Sequence, residues 1–476
     1  MTKSPTTAHR LPISLLALQR NKYKHLSDEE WRWFLQQAEG RERTADKLPT
    51  FAAIEDWWYP VRLSCEQCSS ELTARYKVTV LQSEGRSYGI SGLGQTCKRS
   101  YSPEDGLPAM ADLTGGYGVD TYFLSELFAC TDYVEQNAEL CRIATHNFTL
   151  SQKSKVERQK LSIAVHNTTA EDFLQCSGPT AKRSYSISGH TGEAGHSPTG
   201  YSLIFLDPAR RDSHGGKVFK LADCTPNVVE LLPTLLDHLA PDGRIMLKLS
   251  PMLDITQALK ELSLVQRTSV LRTLSWSVHV VAVKNEVKEV LLMSRNIDIS
   301  EYRDTEIPGY RDTEIPEYQE TGPAITAIDL SHPEQAFSFT CGEEQAAQPQ
   351  MVNNPSSLGT SSLGTWLYEP NAAILKAGAF KLVGARFGLQ KLDVNTHLYC
   401  SETLVNGFPG RVWKITQHLN AQMAKDQMAN VLCRNYPLTP EQLKKKLRLR
   451  DGGTAFVIGC RVAGKPTVFL AERVLS

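Results

Sequence analysis

Three acids and a cluster of glycines stand at spacings that could serve one reaction. In AMADLTGGYGVDTYFLSEL, residues 109–127, a short apolar run leads into Asp112. Thr114, Gly115, Gly116 and Gly118 follow, and a helical apolar pattern then opens with Val119, Tyr122, Phe123 and Leu127. Glycines accept positive φ and let a flat ligand lie on bare backbone, while a helix N-terminus offers unpaired N–H groups. The next apolar run, 129–134, ends on Glu135, about twenty residues beyond Asp112. A carboxylate at that spacing, on the tip of a neighbouring parallel strand, can accept hydrogen bonds from both hydroxyls of a ribose. Further on, YSLIFLDPARR places Asp207 at the end of another apolar run, with Pro208, Ala209 and Arg210 behind it. A carboxylate held in a proline-stiffened turn can take a hydrogen bond from a substrate amine and orient it. These residue types describe a nucleotide-like cofactor beside a positioned nucleophile.

The elements that must hold these residues follow from periodicity. Apolar runs at 109–112, 129–134, 161–165, 201–206 and 244–249 read as strands, with helices between them through Leu140, Ile143 and Ala144 and over 228–239. Two β-rich runs, 278–283 and 287–293, are separated by KNE and read as an antiparallel hairpin. Residues 106–295 therefore predict an α/β, doubly wound, Rossmann-like sheet with a reversed edge. In such a sheet ligands bind beyond the carboxyl ends of the strands at the switch point, so Asp112, Glu135 and Asp207 are expected to converge.

Residues 1–105 predict a mainly helical region. Ser27 and Glu30 make a capping box ahead of Trp31, Phe34, Leu35 and Ala38, and Trp57 to Pro60 form an aromatic knot suited to packing. Residues 63–81 read as one helix, carrying Ser69, Ser70 and Thr73 towards the glycine loop. After the sheet, 296–322 is a linker containing the duplication YRDTEIPG and YRDTEIPE. The Ser/Gly/Thr-rich stretch 176–200 and SSLGTSSLGT at 356–365 also read as expanded loops. Two small α+β units are expected at 323–405 and 406–476. In the second, Thr439, Pro440 and Gln442 cap a helix whose face carries Lys444, Lys445, Lys446, Arg448 and Arg450.

At 476 residues the chain predicts two to four domains, and its formal charge of zero means that any surface for nucleic acid must be local. No apolar run is long enough to cross a bilayer, and the first twenty residues make too short and broken an apolar segment for a signal peptide. The chain reads as cytoplasmic. Its eleven cysteines are mostly single and imply no disulfide framework. Cys65 and Cys68 have metal-knuckle spacing without a second pair to complete four ligands, so no metal is expected.

DLTGGYGVD, YVEQN and IFLDPARR resemble motif I, the ribose acid and motif IV of class I S-adenosylmethionine-dependent methyltransferases. More narrowly, EQCSSELTARYK, DPARRDSHGGKVFKLADC, KLSPMLDITQAL and YEPNAAILKAGAF resemble a family of bacterial proteins assigned as methyltransferases. Its members carry a ferredoxin-like unit and a THUMP-like RNA-binding domain after the catalytic sheet. The resemblance implies S-adenosyl-L-methionine as cofactor. Asp112, Gly116 and Gly118, with Thr114 and Gly115 in the same loop, would line its methionine end, and Glu135 would hold its ribose. Asp207 to Arg210 would face the substrate. The third-strand acid that often meets adenine is replaced here by NTTAEDFL, which leaves the adenine contact open between Thr169 and Asp172. The THUMP-like resemblance implies structured RNA, tRNA or rRNA, held through Lys444, Lys445, Lys446, Arg448 and Arg450.

DPAR also resembles RNA 5-methyluridine methyltransferases, which attack the base with a cysteine after the next strand. That strand here gives KLSPML, with Ser250 in place of the soft thiolate the addition needs, so covalent carbon methylation is disfavoured. A nicotinamide-dependent oxidoreductase fits less well, because the loop lacks GxGxxG order and no Tyr-Lys proton donor is placed beside the sheet. The expectation is methyl transfer to a base nitrogen in RNA. The alternative is an RNA-binding protein whose Rossmann-like domain binds cofactor without turnover.

Overall fold

The structure is a computed structural model, and it describes residues 20–85, 108–153, 162–177, 200–210, 220–266, 273–297, 322–353, 358, 365–419 and 427–474. Most of the expected loop at 176–200, both copies of YRDTEIP and most of the SSLGT repeat lie outside the described residues. The chain divides into two units, 1–274 with 292–303, and 275–291 with 304–476.

The first unit is built on parallel strands β1 (Ala109–Asp112), β2 (Cys130–Val134), β3 (Ile163–His166) and β4 (Tyr201–Leu206). A short antiparallel ribbon follows, β5 (Ala209–Arg210) with β6 (Cys224–Thr225), and then β7 (Leu239–Leu249), parallel to β4. Their order is β3-β2-β1-β4-β7, so the chain changes direction across the sheet between β1 and β4. β1 is buried along its whole length and β4 nearly so, which is why both read as continuous apolar runs rather than alternating ones. Expected strand bounds moved by a few residues, most at β7, which begins at Leu239.

Helices α1 (Asp28–Thr44), α2 (Pro49–Ala53), α3 (Arg62–Gln67) and α4 (Glu71–Gly85) precede the sheet. The Ser27–Glu30 capping box is formed in both directions. Phe51, Trp57 and Tyr59 pack with Tyr117, Tyr122, Phe123, Tyr133 and Phe148, and Trp57 Nε1 donates to the Tyr117 hydroxyl at 2.9 Å. The aromatic knot is therefore core, where burial of each large ring contributes about 2–3 kcal/mol. The single helix expected over 63–81 is two. Cys68 turns extended, and the Ser70 hydroxyl accepts the Thr73 N–H at 3.2 Å to start α4. A serine that satisfies the first orphan N–H of a new helix competes with continuing the old one. Helix α5 (Val119–Leu124) leaves the glycine loop, and α6 (Ala138–Lys153), α7 (Ala170–Ser177), α8 (Val228–Asp237) and α9 (Ile255–Gln266) cross between or follow the strands.

A long hairpin, β8 (Thr273–Val283) and β9 (Glu286–Ile297), turns on Lys284 and Asn285, both with positive φ, as a tight primed turn requires. From Leu292 onward β9 belongs to the first unit, where the Ser294 hydroxyl accepts the Ile245 N–H at 2.7 Å. The hairpin tip belongs to the second unit. There β8 pairs in parallel with β10 (Ala324–Asp329), and β10 pairs antiparallel with β11 (Phe337–Thr340).

The rest of the second unit is an eight-stranded sheet of β12 (Gln350–Met351), β13 (Thr365–Pro370), β14 (Gln390–Asp393), β15 (Thr396–Ser401), β16 (Gly410–His418), β17 (Asn430–Arg434), β18 (Ala455–Val462) and β19 (Lys465–Val474). Its order is β12-β14-β15-β13-β16-β19-β18-β17. The units expected at 323–405 and 406–476 thus share one sheet, since β13 pairs with β16 from Thr365↔Ile415 to Pro370↔Gly410. The ITAIDL and FSFT strands join β8 rather than this sheet.

Candidate active site

The carboxyl ends of β1, β2, β4 and β7 open on a cleft of about 290 Å³, at the lower end of the range for small-molecule sites. Asp112, Thr114, Gly115, Gly116, Gly118, Glu135, Thr169, Asp207 and Ala209 all line it, so the three predicted acids do converge. Ser64 and Gln67 of α3, with Cys68 and Ser69 at the break before α4, form a further part of its wall. Pro208 is buried beside the cleft without lining it. Arg210 forms part of the β5–β6 ribbon, and its side chain lies outside the described residues. Asp172 is exposed and does not line the cleft; its N–H donates to the Thr169 hydroxyl at 3.1 Å at the start of α7.

The glycine loop has a reason at each glycine. A Cβ at Gly115 would sit 2.2 Å from the Tyr133 ring, and one at Gly118 would meet Phe148 at 2.8 Å. Gly116 and Gly118 take φ of +57° and +83°. Glu135 closes the loop from β2: one carboxylate oxygen accepts the Gly116 N–H at 2.9 Å and the other accepts the Asn137 N–H at 2.7 Å. A carboxylate has about four acceptor positions, so each oxygen keeps capacity for a ribose hydroxyl. Bare backbone, a positioned acid and a cleft of this size fit an adenosine cofactor.

Asp112 is almost fully buried. Its two oxygens accept the Thr121 hydroxyl at 2.5 Å and the Thr114 N–H at 3.0 Å. Burial pushes its carboxyl up to about 7 against the pull of those hydrogen bonds, and Asp120 and Asp207 nearby add to the rise. Thr114 stands where such loops often carry glycine. Its hydroxyl accepts the Asp207 main-chain N–H at 2.6 Å and so ties the glycine loop to the end of β4.

The sequence reading missed three charged residues. Lys77, fully buried on α4, lies 3.1 Å from Asp120 of α5, and the Ser69 hydroxyl donates to the same carboxylate at 2.6 Å. Lys248, at the end of β7, lies 3.6 Å from Asp120 and 2.5 Å from Asp207. Burial would raise the Asp120 carboxyl, but the Lys77 and Lys248 ammonium groups outweigh it and hold Asp120 below the ordinary range. A lysine inside the apolar run of β7, and another on the buried face of α4, are the sequence signals for these groups.

Elsewhere, the Cys65 thiol rests against the Pro60 carbonyl, and among the described residues no group of three or more His, Cys, Asp or Glu could hold a metal ion. The basic helix expected near the C-terminus is α13 in chain order after α10 (Cys341–Ala346), α11 (Ala372–Ala377) and α12 (Leu382–Arg386); it spans Pro440–Leu447. It ends before Arg448, which takes a left-handed conformation at its C-cap, so Arg448 and Arg450 lie beyond the helix face assigned to them. Lys444 is ion-paired with Asp451, and Lys445 and Lys446 are exposed. Among the described residues no helix is long and apolar enough to cross a membrane.

Strand order, glycine loop and paired acids are those of the class I S-adenosylmethionine-dependent methyltransferases, and comparison with known proteins agrees. Residues 366–409 match a family described as a ferredoxin-like domain, and residues 410–473 match one described as THUMP domain-like. Over 94% of its length the chain is 27% identical to a Porphyromonas gingivalis protein assigned as a methyltransferase, covering 92% of that structure with a TM-score of 0.65. It is 23% identical over 277 residues to an uncharacterized S-adenosylmethionine-dependent methyltransferase of Mycobacterium tuberculosis. That match takes in 56% of this chain and 62% of the relative, less than two thirds of the relative's length. The chain thus has the fold of the class I methyltransferases, and its C-terminal end matches a ferredoxin-like and a THUMP-like part.

Proposed function

We propose that this protein transfers a methyl group from S-adenosylmethionine to a base nitrogen in structured RNA, tRNA or rRNA, in the cytoplasm. The observation that carries the reading is Asp207. Its carboxylate is 39% exposed at the cleft, and its main chain is tied to the cofactor loop through Thr114. When bound, the cofactor supplies an electrophilic methyl group on a sulfonium that leaves as a neutral thioether. Asp112 and the backbone of Gly115, Gly116 and Gly118 bind its amino-acid end, Glu135 accepts from its ribose, and the Thr169 hydroxyl borders its base. Asp207 accepts an N–H of the target amine, which points the nitrogen lone pair at the methyl group and provides an acceptor for the proton released. The THUMP-like region, with Lys445 and Lys446 exposed and Lys444, Arg448 and Arg450 nearby, holds RNA phosphates.

The test uses radiolabelled S-adenosylmethionine with total RNA from a strain lacking the gene. The wild-type protein labels the RNA, and Asp207→Ala does not, though it binds S-adenosylhomocysteine within about threefold of wild type. Glu135→Ala weakens that binding at least tenfold, the loss of roughly one charge-assisted hydrogen bond. Cofactor binding without any labelling would instead favour the non-catalytic RNA-binding protein. Full labelling by Asp207→Ala would remove Asp207 from the mechanism.

A further inference from the structure

Lys77, Asp120, Lys248 and Asp207 form an alternating chain of charges that runs from α4, through α5 and the end of β7, to the cleft. Its burial falls off in one direction: the side chains are 0%, 9%, 12% and 39% exposed in that order. A buried ion pair is costly to desolvate and is weak evidence for stability. Lys77 with Asp120 alone would be a closed pair. Lys248 makes it an open chain: its ammonium lies between Asp120 and Asp207, and all three line the cleft.

The geometry explains why a lysine on β7 reaches that position. Leu206 pairs with Leu247 in parallel register, so Asp207 and Lys248 each stand one residue beyond the pair at the ends of adjacent strands. The Asp207 main chain is already fixed by the Thr114 hydroxyl. What remains free after that is rotation of the carboxylate, and Lys248 holds one of its oxygens, Oδ2. Asp120 in turn holds Lys248 from behind, and is itself held by Lys77 and by Ser69, which sits in the cleft wall at the α3–α4 break.

We propose that Lys248 is a positioning residue for Asp207, and that Lys77 and Asp120 anchor it, so that the N-terminal helices set the orientation of the carboxylate that receives the substrate amine. With Oδ2 turned to Lys248, the other oxygen faces the nucleophile. The inference rests on the methyl-transfer reading of Asp207. It adds that a fully buried lysine outside the cleft controls turnover there.

The experiment measures methylation of total RNA from the deletion strain, with kcat and KM for RNA separated and S-adenosylhomocysteine affinity read by calorimetry. Lys248→Met lowers kcat at least tenfold while RNA KM and S-adenosylhomocysteine affinity stay within about twofold. Lys248→Arg, which restores the cation, recovers kcat to within about fivefold of wild type. Lys77→Met gives the same selective loss of kcat at a temperature where its unfolding curve shows it folded. If Lys77→Met does not fold, Lys248→Met and Lys248→Arg decide the matter alone. An unchanged kcat in Lys248→Met overturns the proposal. So does a raised RNA KM with kcat intact, which would make Lys248 a plain RNA contact. Wild-type protein that labels no RNA overturns the methyl-transfer reading and this inference with it, whereas an active wild type with an equally active Lys248→Met overturns this inference alone.

Discussion

Replacing Gly115 by alanine tests whether the glycine loop is shaped by the ring beneath it. The added methyl would lie 2.2 Å from Tyr133 Cε2 and 2.5 Å from Cδ2 and Cζ. Carbon atoms settle at roughly 3.5–4.0 Å, so the ring must retreat by about 1 Å or more. It has little freedom to do so. Tyr133 is fully buried, stands edge-on to Phe148 with centroids 5.6 Å apart, and donates its hydroxyl to the Gly116 carbonyl at 2.5 Å. Overpacking of this kind costs about 1–3 kcal/mol, and with the ring held at both ends the expected loss is about 3 kcal/mol. At Gly116 a Cβ meets nothing closer than the Thr114 carbonyl at 3.8 Å, and only the positive φ is penalised, at about 1 kcal/mol. Urea unfolding should therefore rank Gly115→Ala well below Gly116→Ala. Calorimetry with S-adenosylhomocysteine should find binding to Gly115→Ala at least tenfold weaker, because the displaced ring releases the loop carbonyl. In a Tyr133→Leu background the ring edge is gone, and Gly115→Ala should cost less than about 1 kcal/mol further. If Gly115→Ala is as stable as wild type, or if its cost is unchanged in the Tyr133→Leu background, the packing account of the loop is wrong.

Asp112 makes a prediction in pH. Its folded carboxyl keeps a proton up to about 7, well above the ordinary 3.8, so its contribution to stability is full at low pH and is lost as pH rises towards and through 7. The stability of wild type relative to Asp112→Asn should therefore fall between pH 4 and 7 in thermal melts and level off above 8. S-adenosylhomocysteine carries an ammonium group that favours the ionised carboxylate, so its affinity for wild type should rise from pH 6 to 8 while that of Asp112→Asn stays flat; parallel curves would refute the assignment. For the exposed lysines of the THUMP-like region, replacing Lys445 and Lys446 together by alanine should weaken RNA binding at all sequences and reduce the slope of log affinity against log salt by about 1–2, with an unchanged slope placing the RNA elsewhere.

What the sequence could reveal about this site depends on where each partner lies. Asp112, Glu135 and Asp207 were legible because each is the acid that stops an apolar run, and in a parallel sheet such stops fall together at one edge. Lys77 and Lys248 were not, since a single lysine in an apolar stretch usually carries its charge to water along its stem. Only the fold places both against Asp120. The eight-stranded sheet was hidden for a similar reason: the pairing of β13 with β16 joins segments separated by the whole β14–β15 hairpin, and no local pattern records it. Thr114 is the most instructive position, because nothing in the sequence speaks for its side chain. Against a glycine-rich pattern it is a missing glycine, and periodicity offers nothing in its favour. In the structure its main chain binds Asp112 and its hydroxyl binds the main chain of Asp207, so one residue joins the acid of the first strand to the acid of the fourth. Glycine there would keep the first bond and lose the second, leaving the loop in place while Asp207, the carboxylate proposed to meet the substrate, had no tie to it. The departure from the pattern is what couples the two halves of the site.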